Sequence, residues 1–164
     1  MKKLSIVSVL AVMTAGALVT GVALASTATM KKVVPFVATF SGTATTQAAD
    51  TTVTINANGT GKATLLGAGK VTGAGTGDSS QRPCVPFTGT GKITGPGGTL
   101  IFKVNPSSVG CGDDSGQLFS ISGKAAVLKA TGKLAKRKGT LKMSGTYDRS
   151  SGAFTVKFKG SLTA

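Results

Sequence analysis

From Leu141 to the C-terminus the chain alternates apolar and polar residues with a period of two, and that pattern leaves few folds open. Phe154, Val156, Phe158, Gly160 and Leu162 fall on one pleat face, and Thr155, Lys157, Lys159 and Ser161 on the other. Leu141, Met143, Gly145 and Tyr147 repeat the alternation on a partner strand. The intervening Asp148-Arg149-Ser150-Ser151-Gly152 consists of residues that accept turn conformations. A hairpin with one dry face belongs to a sheet that buries that face.

The rest of the chain repeats the theme in weaker form. Phe36, Ala38, Phe40 and Gly42 share one face of a first strand predicted over Val33 to Thr45, with Pro35 at a strand start or edge. Val53 and Ile55 mark a strand over Thr51 to Ala57, Asn58-Gly59 reads as a hairpin turn, and Thr60 to Leu66 returns. Lys70 to Thr76 is a strand whose Gly73 and Gly75, with Gly77 beyond them, leave one face without side chains, a sign of close packing or bending. A loop over Asp78 to Pro86 precedes a strand over Phe87 to Thr94. After the Gly95-Pro96-Gly97-Gly98 turn come a strand over Thr99 to Val104, a polar loop over Asn105 to Ser115, and a long strand over Gln117 to Leu128. Eight or nine strands with short connections and no amphipathic helix predict an all-β, antiparallel domain. Stacked glycines favour a closed or nearly closed barrel of roughly eight strands over a sandwich, because closure needs tight coiling.

The first residues follow other rules. Met1-Lys2-Lys3, an apolar run from Leu4 to Leu24 and the small-residue pattern Ala23-Leu24-Ala25 have the layout of a secretory signal peptide cut after Ala25. The rival is a retained membrane anchor, but Thr14, Gly16, Thr20 and Gly21 dilute the run and favour cleavage, and no Cys stands at the cut for lipid attachment. The expected product is secreted, extracellular or associated with the cell envelope, and has no transmembrane span. It has a loose leader over 26–32 and one domain over 33–164. A chain of that size buries roughly two-thirds of its unfolded surface. Export places Cys84 and Cys111, the only cysteines, in an oxidising compartment, where a disulfide between them is the natural inference. It is expected to tie two loops flanking the Phe87 to Val104 hairpin.

Two short stretches resemble a known family. Ala130-Thr131-Gly132-Lys133-Leu134-Ala135-Lys136-Arg137-Lys138-Gly139 is similar to the T-G-x-F-x-x-A-x-G segment of the allene oxide cyclase and dirigent-like barrels, with Thr131, Gly132 and Gly139 in place. Gly61 to Gly67 and the Asp148 to Leu162 hairpin resemble the small secreted bacterial proteins assigned to that superfamily. The resemblance implies an eight-stranded antiparallel barrel. Leu134 stands where the family carries an aromatic residue, and Leu65 where bacterial relatives often carry His. None of the polar residues proposed to act in the plant proteins is matched, so the resemblance implies a fold and no chemistry.

Composition narrows the chemistry further. The 19 Lys and Arg face five acidic residues, all Asp, for a net charge of +14 that becomes +12 without Lys2 and Lys3. There is no His, Glu or Trp, which removes imidazole bases, Ser-His and Cys-His pairs and His-containing zinc sites. No catalytic residue, cofactor or metal site is predicted, and the reading leans against an enzyme. Asp113-Asp114 reads as a surface turn ahead of a calcium site. Asp148, Arg149 and Tyr147 read as turn and rim residues.

Lys133, Lys136, Arg137, Lys138 and Lys142 form the densest basic cluster. They are the candidate surface for anionic envelope or extracellular polymers; the competing account is a solvated connection that keeps a barrel soluble. Sequence-specific nucleic-acid recognition is disfavoured, because no aromatic stacking platform accompanies the charges. The Gly-Lys-apolar triplets beginning at Gly61, Gly69, Gly91, Gly123 and Gly132 lack the Ser or Thr of a phosphate loop and read as strand punctuation. Phe36, Phe40, Phe102, Phe119, Phe154 and Phe158 could line a pocket for a small apolar ligand. They are also nearly all the large core residues, so a filled interior is expected ahead of a hollow one. Short strands, absent aromatic girdles and Lys on alternate strand positions argue against an outer-membrane barrel.

Overall fold

A computed structural model describes residues 32–164. The predicted signal sequence and most of the leader lie outside the described residues. Eight strands run in chain order: β1 (Val33–Ala49), β2 (Thr52–Ala63), β3 (Gly67–Asp78), β4 (Cys84–Gly95), β5 (Gly98–Gly112), β6 (Leu118–Ala130), β7 (Thr140–Asp148) and β8 (Ala153–Thr163). Each pairs antiparallel with the next, and β1 pairs with β8 to close the barrel. The expected all-β class and eight-stranded closed architecture are what the chain adopts. Closure leaves no strand edge open along the wall.

The period-two pattern explains which side chains turn inward. On β1, Phe36, Ala38, Phe40 and Ala44 are buried while Val37, Thr39, Ser41 and Thr43 are exposed; on β8, Phe154, Val156, Phe158 and Leu162 are buried while Thr155, Lys157, Lys159 and Ser161 face outward. Inward glycines let neighbouring strands approach. A Cβ on Gly61 would strike the Thr39 carbonyl, and one on Gly145 would strike the Thr155 carbonyl. Gly91, opposite Phe102 in register, gives up its side-chain space to the Phe102 ring.

Three expectations need correction. Asn58-Gly59 is not a turn: β2 runs straight through it, with Asn58 opposite Thr43 and Gly59 opposite Gly42. Gly59 is there for packing, since a Cβ would lie 2.7 Å from the Ser41 carbonyl oxygen and 2.9 Å from Phe154 Cζ. The reversal comes later, at Thr64-Leu65-Leu66, where Leu65 takes a φ of 65° and the Thr64 hydroxyl donates to the Val37 carbonyl at 3.0 Å.

The polar stretch from Asn105 is also mostly strand. β5 continues to Gly112, and Asn105-Pro106-Ser107-Ser108 is an irregularity between Val104 and Val109 where Asn105 accepts from the Ser107 amide at 2.9 Å. Buried Ser108 closes it by accepting from the Lys124 amide at 3.3 Å.

The Cys84–Cys111 disulfide is present, but it joins adjacent strands instead of loops. The two residues are direct register partners on β4 and β5, with Cα atoms 3.9 Å apart.

A meander barrel has two distinct ends. At one end lie the β2–β3 and β4–β5 turns, the long β6–β7 connection and the start of β1. This end is closed: Phe36, Leu66, Ile93, Leu100, Leu134, Leu141 and Leu162 are all 1% exposed or less. Leu134, on a single 3₁₀ turn over Gly132–Leu134, drops into this floor from the β6–β7 connection. At the other end are the β1–β2, β3–β4, β5–β6 and β7–β8 connections, and there the barrel is open.

Candidate ligand cavity and charged surfaces

The open end holds a cavity of about 430 Å³. Its size falls within the range of roughly 300–1,000 Å³ typical of small-molecule sites. The hollow arises from small inward residues at the mouth halves of the strands: Ala44 and Ala48 on β1, Gly73 and Gly75 on β3, Gly89 on β4 and Gly110 on β5. Larger apolar groups, including Ile55, Phe87, Met143 and Val156, complete the wall. The interior is therefore filled at the floor and hollow at the mouth, so the two alternatives, of which filling is the one the sequence favours, each hold for one half of the barrel.

The six candidate phenylalanines divide along that boundary. Phe102, Phe119, Phe154 and Phe158 line the cavity; Phe36 and Phe40 belong to the closed half. Phe102 and Phe158 pack tilted with ring centroids 5.0 Å apart at the cavity base, and Phe119 faces Tyr147 at 6.2 Å. The sequence places Tyr147 and Arg149 at a turn and rim, and the structure adds both, with Arg82, to the cavity lining. Tyr147 was detectable, because it shares the inward parity of Leu141 and Met143.

Most interior glycines have a steric reason to be glycine, but two on the cavity wall do not. A Cβ on Gly73 would meet nothing nearer than the Thr90 carbonyl oxygen at 3.6 Å, and one on Gly110 nothing nearer than Phe119 Cδ1 at 3.9 Å. Neither has a positive φ. At both places a Cβ would make only ordinary van der Waals contact, and the missing side chains leave their space to the hollow.

The mouth sorts its charges by what they face. All five carboxylates sit at this end: Asp50 in the β1–β2 turn, Asp78 ending β3, Asp113 and Asp114 between β5 and β6, and Asp148 ending β7. Three of them are engaged by their own turns. Asp78 accepts from the Ser80 hydroxyl at 2.6 Å, Asp113 from the Ser115 hydroxyl at 2.8 Å, and Asp148 from the Ser150 hydroxyl at 2.6 Å. These hydrogen bonds favour the ionised form and lower all three pKa values, that of Asp148 to about 2. None of the five lines the cavity, whereas Arg82 and Arg149 both do. Tyr147 Oη and Thr46 Oγ1, 3.3 Å apart, add a polar tie at the rim.

The candidate basic cluster is split by the fold. Lys133, Lys136 and Lys138 are exposed on the β6–β7 connection under the closed floor. Arg137 beside them is half-buried and donates from Nη1 to the Lys32 carbonyl at 2.9 Å, tying the connection to the start of β1. Lys142 is not part of this group; it projects from the outer wall of β7. Asp113-Asp114 is a turn, and the described residues contain no group of three metal-ligating side chains. No described helix is long and apolar enough to cross a membrane.

No family model, curated protein or solved structure matches this chain.

Proposed function

We propose that this is a secreted, non-enzymatic binding barrel whose working site is the open-ended cavity, and that it holds a small apolar molecule carrying an anionic or strongly polar group. The observation that carries the reading is the hollow itself. It is apolar in its depth, open at one end, and bordered by Gly73 and Gly110, where a Cβ would meet no steric conflict. The head-group preference follows from the rim, where Arg82 and Arg149 line the cavity and none of the five aspartates does. Secretion rests on the signal-like residues 1–25, and membership of the allene oxide cyclase and dirigent-like barrels on the resemblance over 130–139. The absence of His and Glu supports a carrier over an acid–base catalyst.

A pair of fluorescent probes tests this directly. Anilinonaphthalene sulfonate has an apolar body and an anionic head; phenylnaphthylamine has a similar body and no charge. Both are expected to bind the purified, folded protein at one site. Arg82→Gln with Arg149→Gln is expected to weaken the sulfonate probe at least tenfold and leave the neutral probe within about twofold. Failure of both probes to bind at one site overturns the cavity reading, and equal loss of both overturns the head-group assignment.

A further inference from the structure

The Gly-Lys-apolar triplets acquire a meaning once strand register is known. In the four that lie on strands, the glycine and the apolar residue face inward and the lysine faces out: Lys62 on β2, Lys70 on β3, Lys92 on β4 and Lys124 on β6. Lys103 on β5, Lys142 on β7, and Lys157 and Lys159 on β8 occupy the same outer face, and all eight are exposed. Every strand from β2 to β8 therefore carries an outward lysine.

Register places these lysines side by side. Lys124 is directly opposite Lys142, and Lys142 is directly opposite Lys159, so three lysines form a row across β6, β7 and β8. Adjacent strands lie about 4.8 Å apart. Lys157, opposite Ser144, is the diagonal neighbour of Lys142. The remaining lysines continue the path by diagonal steps. Lys103 is opposite Ala126, two residues from Lys124; Lys92 is opposite Ile101, two from Lys103; Lys70 is opposite Thr94, two from Lys92; Lys62 is opposite Ala68, two from Lys70. The belt thus encircles the barrel except at β1.

Like charges directly opposite one another destabilise a sheet, and nothing in register offsets them. The lysines' other partners are Thr, Ser, Ala, Ile and Val, and all five carboxylates are at the mouth connections. Protection of strand edges does not explain the belt either, because a closed barrel has none.

We propose that the belt is a binding track for a flexible, linear phosphate-bearing polyanion, anchored on the row Lys124, Lys142 and Lys159 with Lys157 beside it. The path selects the kind of partner. A flat bilayer meets a barrel wall along one strip, whereas lysines that continue around the wall are all reachable only by a chain that bends. This surface is separate from the cavity and does not depend on the cavity having a ligand.

Long-chain inorganic polyphosphate, fluorescently labelled, is the probe. With four lysines engaged at about 0.7 counterions each, log K against log [salt] has a slope near −3, a loss of about 50-fold between 50 and 200 mM salt. Engagement of all eight takes the slope to about −6. The triple variant Lys124→Gln, Lys142→Gln, Lys159→Gln is compared with a charge-matched triple on the floor connection, Lys133→Gln, Lys136→Gln, Lys138→Gln. The row triple is expected to lower affinity at 50 mM salt at least tenfold more than the floor triple and to flatten the slope by about 2. Circular dichroism and melting confirm that both triples are folded. Equal losses overturn the track in favour of undirected net charge, and a greater loss in the floor triple moves the site to the β6–β7 connection. Saturable micromolar binding of orthophosphate, or phosphatidylglycerol vesicles bound as tightly as polyphosphate with the same ranking of variants, overturns the linear-chain assignment.

Discussion

Gly73→Leu tests whether the hollow is maintained at the expense of stability. Gly73 sits in β3 with an ordinary negative-φ strand backbone, and the space beyond it is empty out to 3.6 Å and opens into the cavity. Burying a leucine side chain there gains roughly 1.5–3 kcal/mol, and removing a glycine from the unfolded chain adds about 0.4–1 kcal/mol. Fixing the leucine rotamer costs about 0.5–1 kcal/mol. Because the cavity is open at one end, the lower part of that range applies, and the expected net gain is about 1–3 kcal/mol. For a domain of this size that raises Tm by about 3–5 °C per kcal/mol. The same substitution should weaken apolar probes at least tenfold, since the side chain stands where they would lie. Gly75→Ala, two residues on and also facing inward, is the internal control. Its Cβ would strike the Thr88 carbonyl oxygen and lie 3.2 Å from Gly89 Cα, forcing β3 and β4 apart, so it should cost about 1–3 kcal/mol. Thermal melting followed by circular dichroism, with probe titration of the folded proteins, measures both effects. The reasoning fails if Gly73→Leu destabilises the barrel or leaves probe affinity intact, and equally if Gly75→Ala proves neutral.

Two other predictions follow from the turns and the disulfide. Replacing Cys84 and Cys111 by Ala opens a loop closed over a sequence separation of 27 and should cost about 3–4 kcal/mol in denaturant unfolding; a loss below about 1 kcal/mol would show that the β4–β5 pairing already constrains the unfolded ensemble. The Asp148 pKa is depressed to about 2 chiefly by the Ser150 hydroxyl. The stabilisation linked to it is therefore present above the ordinary carboxylate pKa of 3.8 and disappears as pH falls through about 2. Carboxyl NMR should find Asp148 titrating well below the ordinary 3.8, and Ser150→Ala should return it toward that value; titration near 3.8 in the parent protein would contradict the turn geometry.

The strands were legible from sequence because each carries its own alternation, and the C-terminal hairpin, where large apolar residues occupy the inward positions, was clearest. Asn58-Gly59 misled because a glycine facing another glycine in a tightly coiled wall has the same local signature as a two-residue turn. Asn105-Pro106-Ser107-Ser108 misled for a related reason: turn-forming residues also suit a bulge within a strand. The cavity was only partly readable. Phe102, Phe119, Phe154 and Phe158 were identifiable as inward, but whether they filled the interior depended on which small residues shared their height, and that is fixed by stagger between strands. The lysine row has the same origin. Lys124, Lys142 and Lys159 are separated by 18 and 17 positions in the chain, with no obvious period, and become neighbours only when β6, β7 and β8 are laid in register.

The floor closed by Leu66, Leu134 and Leu162 gives the barrel a direction. A tube sealed at one end is a vessel and not a conduit: whatever enters past Tyr147 and Arg149 must leave by the same doorway. Capture and release then share one barrier, so tightening the mouth turns slows both together and lengthens residence time without changing equilibrium affinity. On the carrier reading proposed above, cargo would be surrendered only by a change at the doorway, and the floor would remain shut throughout.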